Sequence, residues 1–535
     1  MKKNLLLLLV LVLTCIVNAH DLEQYRETCR EINLPNSGNW SYQPTRPVPN
    51  WTFSCTPVSL LFSYYDYMIG SYNDCPLYAE PDPQYGGYFM TFHAKRTPTG
   101  QRRVYQCYVD ENGVLEPQSE QPIVNNWEGY PTLAVDPVSG KPLYAWHANV
   151  DADAEYEVQF AYDRFLSGFT GIMSTPSIVF DNPSIVMPYN TTNNEFIWPS
   201  LQIGPSPTAG MRRAYVLARN AETNTVNPSE NVKIAYADFN GDMLEMGSFL
   251  TWSYISIPLL DIWNHDTVTW RRPYLAFTVG NDGNIYCIGY HDARVIATDL
   301  PVNEPDLDVF VCPNYGQGTW TRYTAYSKTP TWNPPTNFGT GPGYFKNANN
   351  VPYTNEQIYW KIINSNHFNA VYNISGDLHF TGLWAFHNVD NLYYSQMNVI
   401  KEVRFNVNTQ QFTINEVYPK SGLSSDNILW QPWDINGDNL VDTFNTSTGD
   451  PVIITDWNYP HWNDAAHSNA MTFHYNNFKV TKPNANGWMA CVWQNSWRAK
   501  QYNQYQNTAY SQYANVPEIF ISVSSNYGQD WSEPM

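Results

Sequence analysis

Pro131-Thr132-Leu133-Ala134-Val135-Asp136, a glycine-containing turn, and then Leu143-Tyr144-Ala145-Trp146-His147 form the stretch whose pattern decides the fold. It returns as Pro273-Tyr274-Leu275-Ala276-Phe277, the turn Asn281-Asp282-Gly283-Asn284, and Ile285-Tyr286-Cys287-Ile288-Gly289-Tyr290-His291. Weaker copies run from Pro199-Ser200-Leu201 to Ala214-Tyr215-Val216-Leu217-Ala218-Arg219, and from Gly376-Asp377 to Leu383-Trp384-Ala385-Phe386-His387. Gly87-Tyr88-Phe89-Met90-Thr91-Phe92-His93 and Gly487-Trp488-Met489-Ala490-Cys491-Val492-Trp493-Gln494 complete the series. Short apolar runs bounded by Gly, Pro, Asn and Asp are a strand-and-turn signal, and long helical periodicity is absent. A hairpin recurring every roughly 70 to 100 residues implies stacked or radially arranged sheets.

Within one repeat an inner strand begins at Pro-x-Leu and a second strand ends in aromatic-His. A third follows, as in Tyr156-Glu157-Val158-Gln159-Phe160-Ala161-Tyr162 and Val232-Lys233-Ile234-Ala235-Tyr236. Four antiparallel strands per repeat predict an all-β fold, a β-propeller of six four-stranded blades, because radial closure leaves few exposed edges. The blades are expected at 56–120, 127–190, 196–255, 268–330, 358–415 and 467–535. Residues 20–55 are polar and Pro-rich and are placed to close the last blade. Lys328 to Tyr353 reads as a long loop, and 420–465 as the largest insertion.

Residues 1–19 read as a secretory signal: Lys2-Lys3, the apolar run Leu5 to Val17, and a small-residue cleavage site ending at Ala19. The run is short for a membrane span, and no later stretch is long and apolar enough, so no transmembrane anchor is expected. The expected location is outside the cell or at its surface. A lipoprotein anchored through Cys15 is the alternative, with Thr14 a poor residue before a lipidated cysteine.

The chain holds 49 Asp+Glu against 29 Lys+Arg, a formal charge of −20, which disfavours nucleic acid and anionic membranes as partners. Aromatic residues make up 16%, with 20 Trp and 39 Tyr. That composition suits cross-strand packing in short strands, and it also suits stacking on sugars. After signal removal seven cysteines remain, an odd number and no disulfide framework. Pairs among Cys29, Cys55, Cys75 and Cys107, and Cys287 with Cys312, fit the compartment. No cysteine or histidine cluster has zinc spacing.

Near the C-terminus stands Ser524-Ser525-Asn526-Tyr527-Gly528-Gln529-Asp530-Trp531. Ser524, Asn526, Gly528 and Trp531 resemble the Asp-box, or BNR, repeat of secreted bacterial sialidase-like propellers, with Asn in place of Asp. Pro313-Asn314-Tyr315-Gly316-Gln317-Gly318-Thr319-Trp320 is similar, with one extra residue before Trp. The resemblance implies a turn between the third and fourth strands whose Trp packs between blades, a structural role. Sialidases carry three arginines, one in an aromatic-Arg-Ile-Pro element. Trp270-Arg271-Arg272-Pro273 is similar to it, with Arg for Ile, but opens the fourth expected blade, and no arginine triad emerges at blade starts.

His93, His147, His291 and His387 hold one place in four repeats, after an aromatic at the second strand's end; Arg219 and Gln494 hold it in the other two. Second strands of different blades stand too far apart to share one metal with ligands near 2 Å. The histidines therefore either bond loop backbone or line a ligand-binding face with Arg219, Arg271 and Arg272. Hydrolysis would need two facing carboxylates, and Asp151, Asp153, Asp163, Asp292 and Asp390 follow second or third strands. In the insertion, Asp434, Asn436, Asp438 and Asp442 space oxygen ligands as calcium loops do, although Gly437 and Asn439 depart from the EF-hand order. Asp238-Phe239-Asn240-Gly241-Asp242 is a shorter echo.

The expected role is non-catalytic recognition of extracellular carbohydrate or protein. A glycoside hydrolase or lyase of the sialidase-like group and a structural cell-surface component are the alternatives. Calcium is the one cofactor suggested.

Overall fold

The computed structural model describes residues 30–32 and 46–535, except 54–55, 65–77, 85, 117–118, 121–127, 151–155, 166–170, 182–195, 221–231, 262–267, 272–274, 296, 299–301, 363–367, 374, 391, 421–430, 455–477, 496–497, 499–501, 503–505 and 514–517. The signal segment and Cys29, Cys55 and Cys75 lie outside these residues. No helix among the described residues is long and apolar enough to cross a membrane. The fold is all-β and of β-propeller class, with five blades of antiparallel sheet against the six expected. The chain divides into two compact units, one of residues 52–304 and 308–324, the other of 27–51, 305–307 and 325–535. The earliest described strand, β1 (Arg30–Ile32), belongs to the second unit.

The first unit stacks four blades in chain order. They are β2 (Tyr78–Pro81) to β5 (Ser119–Glu120) through β3 (Tyr88–Ala94) and β4 (Arg103–Val109), then β6 (Glu128–Val135), β7 (Pro142–Ala148), β8 (Glu157–Tyr162) and β9 (Ser177–Phe180). The third is β10 (Phe196–Pro205), β11 (Arg212–Asn220), β12 (Val232–Phe239) and β13 (Ser253–Ser256). Strands β14 (Val268–Arg271), β15 (Leu275–Val279), β16 (Ile285–Tyr290), β17 (Asp292–Val295), β18 (Leu307–Cys312) and β19 (Thr321–Ala325) follow; β15, β16, β18 and β19 make the fourth blade, and β14 pairs β17. The repeat read from the sequence is thus the first three strands of a blade.

Blades meet through inner strands: β3 lies against β6, β6 against β10, and β10 against β15. Leu133, Trp146 and Phe89 fill the first of these seams, Phe160 and Leu201 the second, Tyr215 and Phe277 the third, all buried. Each such side chain contributes about 1.5–3 kcal/mol on leaving water. At the third seam only glycine fits position 204, because a Cβ there would stand 2.4 Å from Val279 Cγ1. The Pro of the inner-strand signature explains a local irregularity. Pairing slips between Gly129 and Thr132 and between Ile197 and Ser200, with Tyr130 at φ 51 and Trp198 at φ 53. A proline has no ladder N–H to give, so it sits at a bulge, and the aromatic before it takes a left-handed conformation rare for such residues.

The second unit departs from the plan. Strands β20 (Thr329–Pro330), β21 (Ile358–Ile362), β22 (Ala370–Tyr372), β23 (Asp377–Asn388), β24 (Leu392–Asn406) and β25 (Gln411–Tyr418) join β1 in a seven-stranded sheet. Strands β23 and β24 run 12 and 15 residues, long enough to pair with several partners each. The stretch expected as a sixth blade gives three strands, β26 (Lys479–Val480), β27 (Met489–Asn495) and β28 (Glu518–Ser524). After β28 the chain turns back: Ser532 N–H donates to Val523 at 2.8 Å, and Met535 and Ile521 exchange bonds at 2.9 and 3.0 Å. Of the N-terminal segment, β1 pairs in parallel with β24, and Arg46 binds Glu533, the Trp531 carbonyl and the Val417 carbonyl.

The long loop and the insertion fold onto one another in this unit. Trp433 is buried against Trp332, Phe345 and Phe386 with ring centroids 5.9, 5.3 and 5.7 Å away. Asn333 ties the first loop by donating to the carbonyls of Phe345 and Tyr353 at 2.8 and 2.9 Å. Phe338 N–H donates to Gly449 at 2.9 Å, and Trp360 Nε1 to Gln431 at 3.0 Å.

The Cys287–Cys312 disulfide that the compartment would permit is not formed; Cys107, Cys287, Cys312 and Cys491 are buried thiols. Cys287 and Cys312 serve as small apolar groups in one blade seam. Burial pushes the Cys107 and Cys312 thiols up to about 11 and the Cys491 thiol to about 12, which makes them poor nucleophiles.

Candidate functional site

The aromatic-His positions lie where β3, β7, β16 and β23 end, and His93, His147, His291 and His387 are all buried. His93 and His147 belong to one cluster, with Tyr130 between them. Tyr130 N–H donates to His93 Nδ1 at 3.1 Å, and its ring meets His93 and His147 edge-on at 5.1 and 4.6 Å. The Arg102 guanidinium lies 5.0 Å over the Tyr130 ring and donates to the Glu128 carbonyl at 2.9 Å. Burial, then the charges of Arg102 and His93, holds the His147 imidazole well below its ordinary range, so it is neutral.

The remaining members have separate surroundings. Arg219 is buried in β11 opposite Ile197 and Val232. His387 donates from Nδ1 to the Ala385 carbonyl at 2.9 Å and stacks on Tyr359, whose ring also lies 4.1 Å from Lys328 Nζ. Arg271 ends β14, paired with Asp292, and nothing is described of either side chain; Arg272, Asp151 and Asp153 lie outside the described residues. The histidine series is a repeated position rather than a single site.

The structure builds one charged array that the sequence reading missed. His291 meets Asp308 Oδ2 through Nδ1 at 2.6 Å and Glu304 Oε1 through Nε2 at 2.7 Å. Arg322 Nε donates to Asp308 Oδ1 at 2.7 Å. Asp308 is fully buried, whereas the Glu304 and Arg322 side chains keep 23% and 21% exposure. No motif links these positions; they meet because β16, β18 and β19 are neighbours in one sheet. A second buried network lies in the second unit. His379 Nδ1 donates to Glu402 at 2.7 Å, and His379 Nε2 accepts from Asn373 Nδ2 at 2.9 Å.

The other strand-end carboxylates are each engaged by nearby donors. Asp163 accepts from the amides of Gly171 at 2.6 Å and Phe165 at 3.1 Å, and burial raises its carboxyl. Asp390 accepts from Tyr353 at 2.6 Å. Asp238, in the shorter calcium-like echo, is bound by Arg213 through two bonds of 2.7 and 2.8 Å, and Asn240 caps a short helix at Met243. In the longer one, Asp434 accepts the amides of Asp438 and Asn439 at 3.0 and 2.9 Å. Asn436 Oδ1 accepts from Asp438, Asp438 Oδ1 from Leu440, and Asp442 Oδ2 from Ile435. Each of these oxygens accepts a backbone amide and keeps lone-pair capacity besides, while among the described residues no group of three or more His, Cys, Asp or Glu gathers to hold a metal.

The Ser524–Trp531 turn is fully accounted for. Ser524 Oγ accepts from Gly528 N–H at 3.0 Å, Asn526 Oδ1 accepts from Asp530 N–H at 2.9 Å, and buried Trp531 donates from Nε1 to the Gly528 carbonyl at 3.0 Å. It follows β28, the third strand of its sheet; the Asn314–Trp320 turn follows β18 in the same way.

No family model matches the chain, and no curated protein does. Among solved structures, a Hadza microbial sialidase is similar at 9% identity and TM-score 0.30, over 63% of this chain and 57% of the sialidase. The chain therefore spans less than two thirds of that protein. A GH43 β-1,3-galactosidase matches at 9% identity and TM-score 0.31, over 61% and 90% of the two chains. A Penicillium chrysogenum α-L-arabinanase matches at 9% identity and TM-score 0.29, over 63% and 95%.

Proposed function

We propose that this chain is a secreted β-propeller of the Asp-box type that recognises carbohydrate outside the cell without catalysing its turnover. Its binding surface is the pair of interlocked loops in the second unit, not the buried histidine series. The observation that carries this reading is the pair itself, residues 331–354 and 431–454. Loops of that length are uncommon in compact domains and, when ordered, usually serve binding. Here they are tied by hydrogen bonds and a Trp433 core, while Phe338 and Leu440 stay 57% and 67% exposed. An exposed ring offers a flat apolar face to a sugar, and an uncharged ligand is indifferent to the −20 charge.

Two further features support it. The turn at Ser524, Asn526, Gly528 and Trp531 is closed by its own hydrogen bonds with Trp531 buried, in keeping with the structural role that the Asp-box resemblance implies. Asp163 is engaged by its own loop, Asp308 by His291 and Arg322, and Asp390 by Tyr353, which favours recognition over hydrolysis. Calcium enters only at the Asp434–Asp442 turn, as a candidate that chelation tests.

The test is a glycan array probed with the mature chain and with Phe338→Ala, alongside release of reducing sugar from every glycan retained. Binding that Phe338→Ala weakens at least tenfold is the expected result. Sugar release would favour the hydrolase instead, and retention of an extracellular protein but no glycan would overturn the ligand class.

A further inference from the structure

We propose that His291 is a proton-dependent clamp: a buried imidazolium held between Glu304 and Asp308 that fastens the residues leading into β18 while it is charged and frees Glu304 when it is not. Both ring nitrogens lie within hydrogen-bond distance of carboxylate oxygens, 2.6 Å to Asp308 and 2.7 Å to Glu304. A carboxylate only accepts, so a neutral imidazole would set one bare nitrogen lone pair against an oxygen lone pair. Either the ring carries both protons or one carboxyl is protonated. Asp308 is the less suited to carry it, since the Arg322 guanidinium 2.7 Å from its other oxygen favours the ionised carboxylate in this buried position. That leaves Glu304, whose side chain keeps 23% exposure, so water reaches its carboxyl group as it does not reach the ring.

With the ring charged, Arg322, Asp308, His291 and Glu304 alternate in sign and sum to zero, the arrangement a buried array needs. Charged groups set against the ring include Glu304 from the approach to β18, Asp308 from β18, and Arg322 from β19 through Asp308. What the clamp fastens is also visible. Val302 N–H donates to the Ala293 carbonyl of β17 at 2.8 Å, two residues before Glu304. Losing the ring proton removes the donor that faces Glu304 and leaves the approach held by this backbone bond and, further on, by Asp306, whose amide donates to the Ala325 carbonyl at 3.1 Å and whose carboxylate accepts from Ser327.

The experiment is long-range ¹H–¹⁵N spectroscopy of the full chain with ¹⁵N-labelled histidine, at pH 8. A free imidazole is protonated there to only about 3%. One of the 11 histidines is expected to show both ring nitrogens protonated, its signals absent from His291→Gln and its titration shifted at least one pH unit lower in Glu304→Gln. Hydrogen exchange at Val302 is expected to speed at least tenfold, beyond the intrinsic pH effect, once that signal titrates. A spectrum at pH 8 without any doubly protonated ring overturns the clamp even where His291→Gln fails to fold, because it places the proton on Glu304. Val302 exchange indifferent to the titration overturns the fastening role.

Discussion

Tyr527 donates its amide to the Gly487 carbonyl at 2.9 Å, and its ring lies where a Cβ on that glycine would fall, 2.6 Å from Cε2. In the first unit Tyr315 does the same to Gly283, with a 2.8 Å bond and a 2.5 Å approach to the missing Cβ. The two copies of Asn-Tyr-Gly-Gln are thus one device. The turn after a blade's third strand reaches back to the hairpin between its first two, and glycine serves both its positive φ and the ring above it.

Gly487→Ala and Gly283→Ala are therefore expected to destabilise by roughly 2–4 kcal/mol, about 1 from the left-handed backbone and the rest from displacing the tyrosine. Gly210, also at positive φ but with nothing near its Cβ, is the control, expected to lose only about 1 kcal/mol. Denaturant unfolding checks all three; equal losses would show that the tyrosine packing adds nothing.

The aromatic-His repeat was legible because period-2 alternation, turn residues and an invariant order survive in each copy. Burial was not. A histidine at a strand's end is written identically whether the next blade covers it or solvent does, and only the seam between β3 and β6 decides that for His93. Glu304, Asp308 and Arg322 were illegible for a related reason: strand neighbours in a sheet have no fixed spacing in sequence. The plan expected for 358–415 failed because the lengths of β23 and β24, which let one sheet collect seven strands, are set by pairing partners rather than by local pattern.

His147 gives a pH prediction. Its folded-state affinity for a proton is depressed, so the unfolded chain binds the proton first as pH falls through about 6.5. The stability tied to the neutral ring is present above that pH and is lost as pH falls, at about 1.4 kcal/mol per unit. His147→Gln is expected to be less stable than the native chain at pH 8, with the gap narrowing by roughly 2 kcal/mol at pH 5. Parallel stability curves across that range would show that the His147 ring takes up its proton as readily in the fold as in the unfolded chain.

The Asp434 turn predicts the outcome of chelation. Its oxygens accept backbone amides, so a chelator is expected to leave the melting temperature unchanged, while Asp434→Ala removes both amide partners and costs roughly 1–3 kcal/mol. A chelator-dependent fall in melting temperature, abolished by Asp438→Ala, would show that the turn reorganises around a calcium ion.

The two terminal tryptophans of the box-like turns should not behave alike. Trp531 is buried and donates to Gly528, whose Cα hydrogen faces Glu402 closely enough that a Cβ would stand 3.2 Å from Oε1. Trp320 follows a turn lengthened by one residue and is only partly buried against its blade seam. Trp531→Ala is expected to cost about 3–5 kcal/mol, as a fully buried aromatic does, and to loosen the pairing of Ser532 and Met535 with β28. Trp320→Ala should cost less than half as much. If the extra residue is what leaves the ring partly exposed, deleting Thr319 to restore the shorter spacing should bury Trp320 further. Tryptophan fluorescence reports the burial and denaturant melts the stability; a red-shifted Trp531 signal or equal costs at the two sites would mean that the turns are not variants of one packing device.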